Sequence, residues 1–180
     1  MRDFDELKLA RVIDACGGID GRVKMQKIVY LLKVMGYDLP FDDFVIRQHG
    51  PFSRSVAWAT DVLTGAEILQ ETPQDLGLDS EGEPMRQYSY RVRDDIAPLI
   101  RESFDVKAPR KKPKIDEVAS RLKQNDRAVL EVAATRVFLE REGLSGQKLD
   151  DELHRLKGHL SRDFDKADEL LATLKADSLL

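Results

Sequence analysis

Cysteine and histidine are the side chains that most often act as nucleophiles, general bases or metal ligands, and this chain has one cysteine and three histidines. A lone cysteine cannot form an internal disulfide or a zinc site of the usual spacing. Cys16 falls on the apolar stripe of a predicted helix without a neighbour that lowers its pKa, so we predict a buried thiol rather than a nucleophile. His154 and His159 are five residues apart, a spacing that does not align two ligands on one helix face.

His49 is the remaining candidate, because it precedes Gly50-Pro51 at the end of a predicted strand. A general base needs a nucleophile or a polarised water within hydrogen-bond reach, and the sequence offers no candidate for either. The chain also lacks the phosphate-loop, His-Glu-x-x-His, Gly-x-Ser-x-Gly and dinucleotide-binding motifs. We therefore predict a protein that is not an enzyme and that has no metal and no cofactor.

The composition is that of an ordinary globular protein, with 42% apolar and 34% charged residues and a net charge of −4. We find no uninterrupted apolar run of about 18 residues, and the acidic N-terminus has no apolar signal segment. These features predict a cytoplasmic protein with no membrane partner. None of the segments 1–93, 94–114 and 115–180 has the strongly basic balance of a typical DNA-binding domain.

Residues 1–95 read as a winged-helix-like domain, because their hydrophobic periodicity alternates between helix and strand in the order helix, helix, strand, helix, hairpin. Ser53 is the expected N-cap of the third helix. A polar loop rich in Gly, Pro and Asp is expected between the two hairpin strands. The predicted elements are helices at 5–16, 21–35 and 53–64, strands at 44–48, 66–70 and 86–93, and the loop at 72–84.

The second helix has two distinct faces. Its core face follows the i, i+3, i+4, i+7 pattern of a buried helix. An adjoining polar and aromatic strip is the candidate recognition surface. The core face consists of Met25, Ile28, Val29, Leu32 and Met35, and the strip of Arg22, Gln26, Tyr30 and Lys33.

The third helix is apolar on two sides, and Trp58 and Val62 lie at i and i+4 on the second side. We predict that this side is covered either by the C-terminal helices or by a partner chain.

The rest of the chain reads as a short helix and a basic, Pro-containing linker at 96–114, followed by a helical C-terminal unit at 115–180 that packs on the first domain. Helices are expected at 115–123, 126–142, 147–158 and 162–176. The predicted fold class is therefore mainly α, with a minor β component.

Two stretches carry a resemblance to known proteins. Gly21-Arg22-x-x-x-Gln26-Lys27-Ile28-Val29-Tyr30-Leu31-Leu32 and His49-Gly50-Pro51-Phe52-Ser53 resemble the YwgA-like family of uncharacterised bacterial proteins and, more distantly, the SocA-like (Panacea) antitoxin domain. The resemblance implies a small helical domain without a known enzymatic activity. In the antitoxin relatives this domain neutralises a toxin or acts as an adaptor through protein contact.

The leading hypothesis is a non-catalytic protein-interaction module, antitoxin- or adaptor-like, whose partner is a toxin or a regulatory protein. The sequence leaves a homodimer open. The candidate partner-binding residues are Arg22, Gln26, Lys27, Tyr30, Lys33, His49, Gly50, Pro51 and Trp58.

The alternative is a nucleic-acid-binding transcriptional or phage-defence regulator. Acidic residues in the predicted third helix and wing loop weigh against it, because neutralising phosphates dominates affinity for DNA. The candidate contacts for this alternative are Arg22, Lys24, Arg47, Arg54 and Arg86.

Overall fold

The computed structural model describes residues 4–78, 81 and 84–180, and it is mainly α-helical with a small antiparallel sheet. The predicted fold class, mainly α with minor β structure, is confirmed. The elements are α1 (Asp5–Ala15), β1 (Ile19–Asp20), α2 (Arg22–Val34), β2 (Val45–Arg47), β3 (Gly50–Phe52), α3 (Arg54–Gly65), β4 (Leu69–Leu78), β5 (Pro84–Val92), α4 (Ala97–Ser103), α5 (Ile115–Lys123), α6 (Arg127–Arg141), α7 (Gly146–Lys157), a 3-10 helix (Gly158–Asp163) and α8 (Phe164–Ala176).

The predicted helices all form, and their ends differ from the prediction by at most two residues. The start of α3 shows why the local sequence suffices, because the Ser53 hydroxyl accepts a hydrogen bond of 3.0 Å from the Val56 amide. This contact satisfies one of the free amides of the first turn and confirms the predicted N-cap.

The sheets differ from the prediction. Strand β4 continues through Leu78 into the segment predicted as a loop, and it pairs with β5 from Leu69↔Val92 to Leu78↔Pro84, with an irregularity after Asp75. Most side chains in this part of β4 are exposed on both faces, so the sequence shows no apolar alternation there. The strand is defined by its pairing with β5, which satisfies its backbone N–H and C=O groups. The rest of the predicted loop, at residues 79–80 and 82–83, lies outside the described residues, as do residues 1–3.

Two short strands escaped the sequence analysis. Strand β1 pairs with β5, which gives the sheet order β1-β5-β4. Strand β3 follows the predicted strand at 44–48 and pairs with β2 to form a separate hairpin. Strands of two or three residues are too short to show a period, so only the pairing identifies them.

One continuous apolar core runs through the described part of the chain and joins the N-terminal elements to the C-terminal helices. Helix α6 lies at its centre and packs against α2, α7, α8 and β3. The predicted core face of α2 is confirmed, because all five of its residues are at most 1% exposed. None of the described helices combines the length and apolar character needed to cross a bilayer.

The basic segment at 107–114 has no helix or strand, but side-chain hydrogen bonds connect it to the rest of the protein. The Lys112 ammonium donates to the carbonyls of Met35, at 2.8 Å, and Leu179, at 2.7 Å. The Tyr37 hydroxyl donates to the Pro113 carbonyl at 2.7 Å. These contacts tie the segment to the end of α2 and to the C-terminus.

The outer side of α3 remains partly open. Helix α3 packs mainly against α1, β4 and α2. Trp58 is 48% exposed and Val62 is 37% exposed. The C-terminal helices therefore do not bury this side, and its coverage by a partner chain stays a prediction.

Candidate functional site: a groove between two helices and a hairpin

The candidate site is a groove of about 580 Å³. It lies between the first turns of α2, the first two turns of α3 and the β2–β3 hairpin, and we call it the α2–α3 groove. Its lining residues are Arg22, Val23, Met25, Gln26, Lys27, Arg47, Gln48, His49, Gly50, Phe52, Val56, Ala57 and Thr60.

The polar side chains in the floor of the groove are already hydrogen-bonded to the protein. The Gln26 amide donates to the Ser53 carbonyl and accepts from the Ser53 amide, both at 2.9 Å. The Thr60 hydroxyl donates to the Val56 carbonyl at 2.8 Å. Because these donors and acceptors are occupied, the floor offers mainly apolar surface to a ligand.

The cations at the groove differ in how far their charge is neutralised. The Arg22 guanidinium lies 2.6 Å from Asp61 and 3.5 Å from Glu71, and it donates to the Tyr90 hydroxyl at 2.8 Å. The Arg47 guanidinium stands 5.0 Å from the centre of the Phe52 ring. It forms no ion pair with any carboxylate in the described part of the chain. Arg47 is therefore the cation that is free to meet an anionic ligand.

Buried charged side chains from α6 and α7 contact the turn between β2 and β3. The Lys157 ammonium lies 2.7 Å from the Glu131 carboxylate and 2.5 Å from the Gln48 carbonyl. The second carboxylate oxygen of Glu131 is 3.6 Å from Nδ1 of His49. Both members of the Lys157–Glu131 pair are almost wholly buried. Helices α6 and α7 thus fix the first half of the turn.

Lys27 holds strand β3 of the hairpin from α2. Its ammonium donates to the Pro51 carbonyl at 2.6 Å, and its side chain is buried. Burial lowers the pKa of Lys27 to about 7, although the nearby Glu131 carboxylate opposes this shift. We call Lys27, Glu131 and Lys157 the buried charge cluster.

Gly50 lets the start of β3 lie directly on α6. Its φ is +82°, and a Cβ atom built there would be 2.5 Å from the Thr135 hydroxyl oxygen. That distance is far below van der Waals contact, and the backbone conformation is one that residues with side chains rarely adopt. Gly50 thus makes a close contact between the hairpin and α6.

The structure brings most of the predicted partner-binding residues to this groove and separates the others. Tyr30 packs its ring 5.0 Å from that of Phe44, and Lys33 lies 2.6 Å from the Asp42 carboxylate, beside a different cavity. Trp58 lies on the outer side of α3. The residues that meet at the groove are Arg22, Gln26, Lys27, His49 and Gly50, with the Pro51 carbonyl beneath.

The candidate nucleic-acid contacts differ in whether their charge is paired with an acidic residue. Arg22 is ion-paired with acidic groups, and Arg86 lies opposite Asp75 in the β4–β5 register. Arg47 and Arg54 are exposed and have no ion-pair partner among the described residues.

Sequence reasoning missed Glu131, Thr135 and Lys157. Two of them leave a signal, because Glu131 interrupts an apolar run in α6 and Lys157 follows Leu153 at i+4 on the apolar stripe of α7. A charge at such a position must find a buried partner. Thr135 leaves no comparable signal.

The other chemically active side chains take no part in the groove. Cys16 is buried, and burial raises the pKa of its thiol to about 12, which confirms the predicted buried cysteine. His154 packs edge-on against Phe164, with ring centres 4.8 Å apart. Within the described ranges, no three His, Cys, Asp or Glu side chains are grouped as a metal site requires.

Lys27 makes a prediction for stability against pH. Its pKa is about 7 in the folded protein and roughly 10.4 in an unfolded chain, so the unfolded state binds more protons between these values. The cost of burying Lys27 is complete below pH 7 and disappears as the pH rises toward 10.4. Between pH 7 and 8.5 the free energy of unfolding of wild type should therefore rise more than that of Lys27→Met. We expect the two rises, measured by urea denaturation, to differ by about 1 to 2 kcal/mol.

The range ends at pH 8.5 because the buried Cys16 thiol, with its raised pKa, makes stability fall at higher pH. Lys33→Met removes a half-exposed lysine from the same helix and controls for the loss of one charge. Equal pH slopes for Lys27→Met and wild type would show that Lys27 remains charged in the folded protein.

Comparison with known proteins gives one informative match. No protein-family model matches the chain, and no solved structure matches it. The resemblance to the SocA-like domain stays a prediction. Over 174 residues, which cover 95% of this chain and 96% of the relative, the chain is 24% identical to a Bacillus subtilis (strain 168) protein described as uncharacterized protein YwgA. The chain is thus similar to YwgA along nearly its whole length, which supports the predicted resemblance to the YwgA-like family.

Proposed function

We propose that the protein is a non-catalytic protein-interaction module, antitoxin- or adaptor-like, and that the α2–α3 groove holds an apolar side chain of a partner polypeptide. The observation that carries the proposal is a groove of about 580 Å³ with apolar walls and internally satisfied floor groups. Recognition grooves commonly take one or a few apolar anchors of a partner segment.

The outer side of α3 supports a macromolecular partner. Ala57 lines the groove, and Trp58 follows it on the same helix with about half its surface exposed. Tryptophan is enriched among the residues that dominate protein–protein affinity. A partner that fills the groove and extends over α3 would bury both.

The groove also lacks the parts of an acyl-transfer or hydrolytic site. Its described lining contains no serine or cysteine, and the Thr60 hydroxyl donates to a backbone carbonyl. His49 lies beside Glu131 but has no activated nucleophile to serve. These features support a binding role.

The antitoxin- or adaptor-like part of the proposal rests on the resemblance of the α2 and His49–Ser53 stretches to the SocA-like domain. The element order α1-β1-α2-α3-β4-β5, with sheet order β1-β5-β4, supports a winged-helix-like interpretation of the N-terminal part. In this interpretation the β2–β3 hairpin is inserted between the second and third helices and forms one wall of the groove.

The test is selection of peptides from a random phage-displayed library on the full chain. Ala57→Trp places a large side chain in the groove, and Ala172→Trp makes the same change on the exposed surface of α8. We expect selected peptides to bind wild type and Ala172→Trp equally and to bind Ala57→Trp at least about ten-fold more weakly, because their apolar anchor loses its space.

Both tryptophan variants are first compared with wild type by circular dichroism and thermal unfolding. Failure to enrich any peptide, or selection only of peptides that bind Ala57→Trp as tightly as wild type, overturns the proposed groove function.

The nucleic-acid alternative has weaker support. Arg47 and Arg54 favour it, because both are exposed and lack described acidic partners. The Arg22 guanidinium is instead held by Asp61 and Glu71, whose charges repel phosphate.

A further inference from the structure

We infer that the ligand of the α2–α3 groove carries a carboxylate beside its apolar anchor, and that Arg47 binds this carboxylate. The inference rests on the proposed function and names the chemistry of the partner segment. We assign the carboxylate to an Asp or Glu side chain next to the anchor, because the proposed partner segment continues past the groove over Trp58 on α3. A free C-terminal carboxylate is an alternative outcome of the test.

The first step is the placement of the Arg47 charge. Its guanidinium lies over the ring of Phe52, and both residues line the groove. Stacking on an aromatic face restricts the planar guanidinium and leaves its N–H edge free to donate. A carboxylate accepts two parallel hydrogen bonds from such an edge, which adds direction to the charge attraction.

The second step is the charge balance of the groove. Its described lining includes no Asp or Glu, so no internal carboxylate competes for Arg47. The lining contains one other arginine and one lysine, and both already have partners: Arg22 contacts Asp61, Glu71 and Tyr90, and Lys27 donates to the Pro51 carbonyl. Arg47 is therefore the lining cation that is available to bind a ligand carboxylate.

The third step is the position of this cation against apolar walls. Phe52 and Val56 contribute apolar surface, and a bound anchor excludes water from the same space. Charge attraction is stronger where water is excluded, so a carboxylate next to the anchor gains more than one held in solvent. An apolar residue followed by an acidic one fits both requirements.

The test uses four fluorescein-labelled synthetic peptide pools with randomised flanking positions. Two internal pools contain Leu-Asp or Leu-Asn and have amidated C-termini, and two terminal pools end in Leu with a free carboxylate or a carboxamide. Binding to the full chain is measured by fluorescence polarisation at low and physiological salt. We expect the Leu-Asp pool to bind about ten-fold more tightly than the Leu-Asn pool at low salt, with a smaller difference at physiological salt.

The Arg47→Gln variant should abolish the difference between carboxylate and neutral pools. Arg54→Gln removes an exposed arginine that does not line the groove and should preserve it. A difference confined to the terminal pair would assign the carboxylate to a chain terminus and overturn its assignment to an Asp or Glu side chain.

The outcomes separate this inference from the proposed function. If charged and neutral pools bind equally, and Ala57→Trp weakens both, the groove binds peptides without reading a carboxylate and only the inference fails. If no pool binds, both fail. If a labelled oligothymidine binds through Arg47 while the peptide pools do not, the anion is a phosphate and the nucleic-acid alternative replaces both.

Discussion

Replacing Glu131 with alanine is expected to lower the free energy of unfolding by about 3 to 5 kcal/mol, the largest effect of any single substitution considered. The variant leaves the Lys157 ammonium buried without the carboxylate that lies 2.7 Å away in wild type. A loss of this size is a large fraction of the stability of a typical domain. Urea denaturation monitored by circular dichroism measures it.

A double variant separates the loss of a partner from the loss of the pair. Glu131→Met combined with Lys157→Met removes both charges, and it should recover much of the stability lost in Glu131→Ala. Recovery should be incomplete, because the Gln48 carbonyl also loses its contact with Lys157.

Glu140→Ala is the matched control on the same helix. Its carboxylate is partly exposed and lies 3.8 Å from Lys175, a weak surface pair, so the expected cost is below about 1 kcal/mol. A similar small cost for Glu131→Ala would contradict a buried, paired role for Glu131.

Gly50→Ala is expected to cost about 3 kcal/mol, the second largest effect. The new Cβ would meet the Thr135 hydroxyl oxygen at 2.5 Å, and the residue would keep a φ of +82°. Overpacking of this kind costs roughly 1 to 3 kcal/mol, and the left-handed conformation adds about 1 to 2 kcal/mol. The hairpin wall of the groove should shift away from α6.

The same substitution in two Thr135 backgrounds distinguishes the clash from the backbone strain. Thr135→Ala removes the γ atoms and should reduce the cost of Gly50→Ala to about 1 to 2 kcal/mol, the strain alone. Thr135→Val keeps atoms in the γ positions and should not reduce it. Thermal and urea unfolding of the six proteins provide the comparison, and an equal cost in all three backgrounds would show that no clash exists.

The helices of this protein were predictable because their signals are local. The core face of α2 follows from the helical period, and the start of α3 follows from a serine whose hydroxyl binds an amide three residues away. Strand β4 was predicted too short, since its solvated residues show no alternation and only pairing with β5 defines them.

The candidate site was predictable in part. Arg22 and Gln26 reach the groove. Lys33 lies 11 residues beyond Arg22 on α2, about 16 Å along the helix axis, and pairs with Asp42 instead. Residues on one face of a helix lie in a row along its axis, but they can contact different parts of the protein. The position of the hairpin beside the first turns of α2 decided which end of the strip belongs to the groove.

The sequence by itself determined the mainly helical fold and the apolar face of α2, because each depends on residues a few positions apart. Only the tertiary structure decided that Lys27 and Lys157 hold the β2–β3 hairpin together with Glu131. The three residues come from helices far apart in the chain, and a buried charge finds its partner through helix packing. The same packing forms the α2–α3 groove and leaves Arg47 unpaired at its wall.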